Sequence, residues 1–138
     1  MKIVWTWAQT AFTGLGAALG WFLGGFDGFL FTLITFVAVD YLTGIMRAVV
    51  EKQLSSRVGA RGICKKVAIF LMVGIAHLAD VYLLGDGAAL RTAVIFFYIS
   101  NEGISFLENA GAIGLPIPGK LKDVLVQLHG NGNEEDTK

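Results

Sequence analysis

The sequence predicts an all-α membrane protein, a small bundle of four transmembrane helices, or alternatively three, followed by a C-terminal amphipathic helix. Two observations carry that expectation. Hydrophobic residues make up 54% of the 138 positions and charged residues only 16%, a balance that a soluble domain of this size could not keep in solution. The apolar residues also fall into four stretches of about 20 residues, the length needed to cross a bilayer, and three of these carry ionisable side chains within the apolar run. Such side chains cost about 2.5 to 3.5 kcal/mol each at the bilayer centre, so they persist only where protein or water meets them.

The first helix is expected from about Ile3 to Gly25, in a run from Ile3 to Phe26 without a charge. The run is longer than a typical signal-peptide core and leads straight into another apolar segment, so it is read as retained. Trp5, Trp7 and Trp21 suit anchoring at the two interfaces, although their spacing covers only about 21 to 24 Å of helix. The alternative is a helix lying on the outer surface, which leaves three spans. Gly16, Gly20, Gly24 and Gly28 recur every four residues and form a small-residue ridge. This ridge packs either against the second helix or against another subunit.

The second helix is expected from about Gly28 to Val50, the third from Lys65 to Leu84 and the fourth from Ala88 to Asn109. Gly24 to Gly28 and Gly85-Asp86-Gly87 read as tight turns carrying one acid each and no base. The connection from Glu51 to Lys66 carries Lys52, Arg57, Arg61, Lys65 and Lys66, just after Arg47. Its positive charge places it in the cytoplasm, with both aspartate turns outside, the C-terminus inside and the N-terminus inside if the first helix spans. An inner-leaflet anchor explains this basic loop better than nucleic acid, which is not expected as a partner.

At 100° per residue, Arg91, Tyr98, Asn101, Glu102, Ser105, Glu108 and Asn109 share one arc of the fourth helix, with Ala93, Phe96, Ile99, Ser100, Gly103 and Leu107 facing away. The second helix gathers Thr32, Asp40, Thr43, Gly44, Arg47 and Glu51 in a similar arc, and the third has a sparser stripe of Lys66, Gly74, His77 and Asp80. Two readings follow. The stripes face one another in a compact bundle, where Asp40, Asp80 and Glu102 pair with Arg47, Arg91 or hydroxyls or are protonated; or they are masked in small assemblies and line water in large ones. Asp40 and Arg47 stand about 10 Å apart along their helix, so each is expected to find a partner elsewhere.

Beyond Asn109, Leu115-Pro116-Ile117-Pro118-Gly119 ends helical continuation. Leu121, Val124, Leu125 and Leu128 then recur at helical spacing. The expected organisation is a membrane helical domain over 1–110, a proline turn and interfacial helix over 111–129, and a polar disordered tail over 130–138. No phosphate loop, dinucleotide fingerprint or zinc motif is present, and His77 with Asp80 are too few for a metal site, so neither enzyme activity nor a cofactor or metal is expected. Cys64 stands alone and excludes an intramolecular disulfide.

Several segments, in order, resemble a known family. They are Asp40-Tyr41-Leu42-Thr43-Gly44; Leu54-Ser55-Ser56 with Gly62 and Lys65-Lys66; Asp80; Asn101-Glu102-Gly103-Ile104-Ser105-Phe106-Leu107-Glu108-Asn109; and Gly114-Leu115-Pro116-Ile117-Pro118 with Leu121. Together they resemble the phage-lysis and toxin-secretion holins of Gram-positive bacteria and their phages, over about Asp40 to Leu128. The resemblance implies a multi-pass protein of the bacterial cytoplasmic membrane that associates with itself and with lipid. Its assemblies would form lesions that pass an endolysin or a large toxin, with an antiholin as a possible further partner. A small ion channel or transporter subunit with a path through Asp40, Asp80 and Glu102, and an antiholin-like scaffold, remain the competing expectations.

Overall fold

The computed structural model describes residues 1–85 and 87–133, apart from the side chains of Leu125 and residues 128–133. The described chain is all-helical: α1 (Lys2–Leu23), α2 (Gly28–Val50), α3 (Ser56–Tyr82), α4 (Ala89–Ile113) and α5 (Gly119–Asn133). Local chemistry explains most of the boundaries. Gly24 ends α1 at φ 85°, a left-handed conformation that favours glycine, and the Gly25 N–H bonds back to the Gly20 carbonyl at 2.7 Å. Asp27 starts α2 by accepting the Leu30 N–H at 2.9 Å, and Ser55 starts α3 by accepting the Val58 N–H at 3.1 Å. Gly114, at φ 106°, ends α4 before the two prolines. The Asp86 position of the expected outer turn lies outside the described residues. So does the tail beyond Asn133, while α5 itself continues four residues past His129.

The expected basic loop is corrected. Ser55 caps a helix that begins nine residues before Lys65, so Arg57, Arg61, Lys65 and Lys66 lie in the first turns of α3, and only Lys52 remains in the connection. Two glycines lie in this stretch, Gly59 and Gly62. They are contact positions: the Tyr41 ring of α2 lies so close that a Cβ on Gly62 would sit 3.1 Å from it, and the Tyr41 hydroxyl reaches the Gly59 carbonyl at 3.4 Å.

The bundle is built around α4, which packs most extensively on α2, then on α3 and α5. Asp27 at the start of α2 and Asp80 at the end of α3 both meet Arg91 at the start of α4, and Asp40, Lys66 and Glu102 meet near mid-helix, so α2 and α4 run parallel and α3 runs antiparallel to both. Leu30, Leu33, Val73 and Ile95 form the fully buried centre, joined by Leu23, Val37 and Ile69. Both faces of α4 are therefore used. Ser100, Gly103 and Leu107, expected to face away from the packed stripe, are buried, with Ser100 only 2% exposed.

The helix α1 touches α3 and makes no packing contact with α2 among the described residues. Its anchor is the Phe22 ring, which lies on Gly74 so closely that a Cβ there would stand 2.1 Å from the ring carbons. Gly16 and Gly28 of the expected ridge face open space, and Gly20 meets only the Phe26 ring. The ridge therefore does not pack against α2; Gly24 meets His77 of α3 and Arg91 of α4 instead. Among the described residues two helices, α2 and α3, are long and apolar enough by themselves to cross a membrane, where four were expected. Arg91, Glu102 and Glu108 dilute α4, and Gln9 with the threonines and glycines dilutes α1.

Candidate functional site: two polar clusters and a cleft

Two polar clusters sit at different levels of the bundle, one at the α1–α2 turn and one near the middle of α2, α3 and α4. They lie about 17 to 21 Å apart along α2, α3 and α4 at 1.5 Å per residue, and the apolar centre occupies the turns between them.

The first cluster forms at the α1–α2 turn. Arg91, 4% exposed, donates through Nε to the Leu23 carbonyl at 2.6 Å, through Nη2 to the Gly25 carbonyl at 3.0 Å and through Nη1 to Asp27 Oδ2 at 2.7 Å. A buried guanidinium is tolerated here because its donors meet a carboxylate and the carbonyls at the end of α1, where the helix dipole is negative. The same guanidinium holds the Asp27 carboxyl below the usual carboxylate range. Asp80, 1% exposed, does not pair with this side chain as expected. It accepts the backbone N–H groups of Leu90 and Arg91 at 3.0 and 2.8 Å, capping α4 from a neighbouring helix where Ala88 offers no capping side chain. His77 faces Gly24, where a Cβ would lie 2.6 Å from its Nδ1.

The second cluster joins three helices. Lys66 Nζ, from α3, bonds both Asp40 Oδ2 of α2 and Glu102 Oε2 of α4. Asn109 Nδ2 donates to Asp40 Oδ1 at 3.1 Å and to Thr43 Oγ1 at 3.3 Å, fixing the carboxylate from its other side. Side-chain exposure is 18% for Lys66, 7% for Asp40 and 6% for Glu102, so the charges are largely removed from solvent. They form the floor of a half-open cleft of about 620 Å³ between α2 and α3, whose lining also includes Tyr98, Asn101 and Ser105 of α4. The middle of the polar stripe of α4, from Tyr98 to Asn109 without Glu108, thus lines this cleft, whereas Arg91 is buried at the α1–α2 turn.

The remaining expected residues fall outside both clusters. Arg47 pairs with Glu51 of its own helix at 3.0 Å, which corrects the expectation of a partner elsewhere. Glu108 is exposed and shares a cavity of about 390 Å³ with Arg47 and Lys122. Lys52, Arg57 and Arg61 are exposed or half-exposed, and Lys65 lies at the cleft. No group of three or more metal-ligating side chains occurs among the described residues.

Lys66 was expected on the stripe of the third helix, but as one of its first residues and as part of the basic connection, so its buried pairing was not evident. Once α3 is extended, Lys66, Ile69, Val73, Ala76 and Asp80 follow alternating steps of three and four, the spacing of a buried helical seam. That spacing is the signal that could have placed Lys66 in the core.

This arrangement can be set beside known proteins. A family model described as the bacteriophage holin family matches residues 17–130. The chain belongs to the bacteriophage holin family. It is 32% identical over 117 residues to a probable holin of Bacillus phage phi105, covering 85% of this chain and 86% of that one. An uncharacterized protein of Halalkalibacterium halodurans is 45% identical over 121 residues, 85% of this chain and 90% of its own. An uncharacterized 14.9 kDa protein of Clostridium perfringens, described as lying in the nagH 3′ region, is 40% identical over 129 residues, 94% and 98% of the two chains. No solved structure matches. The holin match includes both polar clusters and all of α2, α3 and α4, and marks the protein as a membrane protein.

Proposed function

We propose that this protein is a pore-forming holin of the bacterial cytoplasmic membrane, acting without catalysis. Copies of the chain assemble into lesions that release an endolysin during host-cell lysis, or a large toxin. The observation that carries this reading is the Asp40–Lys66–Glu102 cluster at the floor of an open cleft. Charges placed there have two low-energy environments, a partner inside the bundle or water in a larger assembly, and lipid is neither.

Family membership supports the same reading. In the topology proposed, α2 and α3 span on their own length and hydropathy, α4 crosses packed against α2 with Arg91 and Glu102 turned inward, and α1, diluted by Gln9, threonines and glycines, crosses against α3, with α5 on the inner face and both termini cytoplasmic. The turn cluster then falls at one edge of a hydrocarbon layer about 30 Å thick, and the Asp40–Lys66–Glu102 cluster lies within it, about 17 to 21 Å deeper. Arg57, Arg61 and Lys65 at the start of α3 meet the inner leaflet, as the distribution of positive charge requires. A fixed ion path through Asp40, Asp80 and Glu102 is less well supported, because Leu30, Leu33, Val73 and Ile95 fill the space between the clusters and Asp80 is committed to the α4 backbone.

Expression of the chain alone in a bacterial host tests the proposal. The expected outcome is abrupt depolarisation after a lag, followed by release of a co-expressed cytoplasmic muralytic enzyme that lacks a signal peptide. Steady growth with abundant membrane-inserted protein would sink it and favour an antiholin-like scaffold. Depolarisation without release of the enzyme would favour a channel.

A further inference from the structure

The Asp40–Lys66–Glu102 cluster is unbalanced. Two carboxylates share one ammonium and lie within hydrogen-bonding reach of each other, and the Asn109 amide that contacts Asp40 from its other side adds no charge. Lys65 lines the same cleft but forms no ion pair among the described residues, and Tyr41 and Tyr98 add only neutral hydroxyls. With both acids ionised, the floor of the cleft carries one uncompensated negative charge inside a bundle that faces lipid. Such a charge is costly where water is scarce and nearly free where water fills the cleft. The cost falls on the closed bundle alone, and it is set by the number of charges rather than by the packing around them.

We propose that the charge balance of this cluster sets when the protein leaves the closed bundle for the lesion, with Lys66 as the restraining residue. This rests on the holin reading above and assigns the timing of that activity to three side chains. A neutral cluster holds the bundle closed; a surplus of either sign opens it. Balanced charge is therefore the slow state, and the native cluster, one charge from balance, is poised between stable insertion and assembly.

A charge series in the full-length protein tests this, with trigger time read from a potential-sensitive dye and membrane levels matched by immunoblot. Glu102→Gln leaves the Lys66–Asp40 pair neutral and is expected to trigger severalfold later than the native chain. Lys66→Gln leaves two acids and should trigger earlier. The double variant Lys66→Gln/Glu102→Gln restores one surplus negative charge and should return toward native timing, although it contains neither member of one native pair. Should Lys66→Gln fail to accumulate, Asp40→Asn/Glu102→Gln tests the same rule from the positive side and should also trigger early. A merely structural ion pair would give Glu102→Gln and Lys66→Gln effects of the same sign, and that result overturns the proposal. Unchanged timing across the series also overturns it while leaving the holin reading intact, whereas a native chain that never depolarises cells removes the holin reading itself.

Discussion

The Asp80 carboxylate accepts the backbone N–H of Arg91 at 2.8 Å, so an acid in α3 caps the helix that follows it. A helix start leaves its first N–H groups unpaired, and in a membrane no water reaches them. Asp80→Ala is therefore expected to lower stability by about 0.5–2 kcal/mol or more, the usual cost of a lost cap. Asp80→Asn keeps one acceptor and should lose less. Thermal unfolding in detergent, followed by helical circular dichroism, checks the order of the two variants.

Acid should loosen the α1–α2 turn. The Arg91 guanidinium depresses the Asp27 carboxyl below its ordinary 3.8, so the ion pair contributes its stability fully above that value and loses it as pH falls through the depressed folded value. The sensitive window lies below about pH 4. Because Asp27 is 45% exposed, solvent screens the pair and the effect should be modest. Asp27→Asn should flatten this part of the pH profile, and an unchanged slope in a detergent unfolding series would rule the pair out as its source.

Gly74→Leu should separate α1 from α3. The Phe22 ring occupies the place of the missing side chain, and forcing bulk into such a contact costs on the order of 1–3 kcal/mol. The measurement is thermal unfolding in detergent of Gly74→Leu, Phe22→Ala and the double variant: a clash with the ring predicts that Phe22→Ala relieves part of the loss caused by Gly74→Leu. Additive losses would show that the ring is not what Gly74→Leu displaces.

Ser100→Leu should reduce accumulation of the protein, since Ser100 is nearly fully buried and its hydroxyl bonds the Phe97 carbonyl at 2.7 Å. Ala93→Leu, on an exposed position of the same helix, should leave membrane levels unchanged. Glu102→Leu should accumulate well but delay or abolish lesions, so that Ala93 and not Ser100 is the proper reference site for the polar cleft.

Cysteine labelling fixes the topology. With Cys64→Ser as background, Ser55→Cys should label from the cytoplasm and Gly87→Cys from outside, as the basic start of α3 dictates. Labelling of Lys2→Cys from outside selects three spans, and its protection from outside selects four.

The sequence by itself determined the helices and most of their ends. The left-handed turn at Gly24, the Asp27 and Ser55 caps and the proline stop after Gly114 depend on residues within a few positions of one another. The order of motifs from Asp40 to Leu121 likewise carried the family resemblance, because a family is recorded in linear pattern. Only the tertiary structure decided which charges meet. Lys66 reaches Asp40 and Glu102 across 26 and 36 residues, while Arg47, which shares the polar arc of α2, turns to Glu51 instead. Asp80 looked like a charge in need of a countercharge and proved to be a backbone cap, because the end of α3 packs beside the start of α4. Periodicity tells which side chains share a face of one helix, but the rotation and height of the neighbouring helix decide what that face touches. The close approach of Tyr41 to Gly62 is one contact that brings α2 against α3 near Asp40 and Lys66, and the lack of a side chain at the glycine makes it possible.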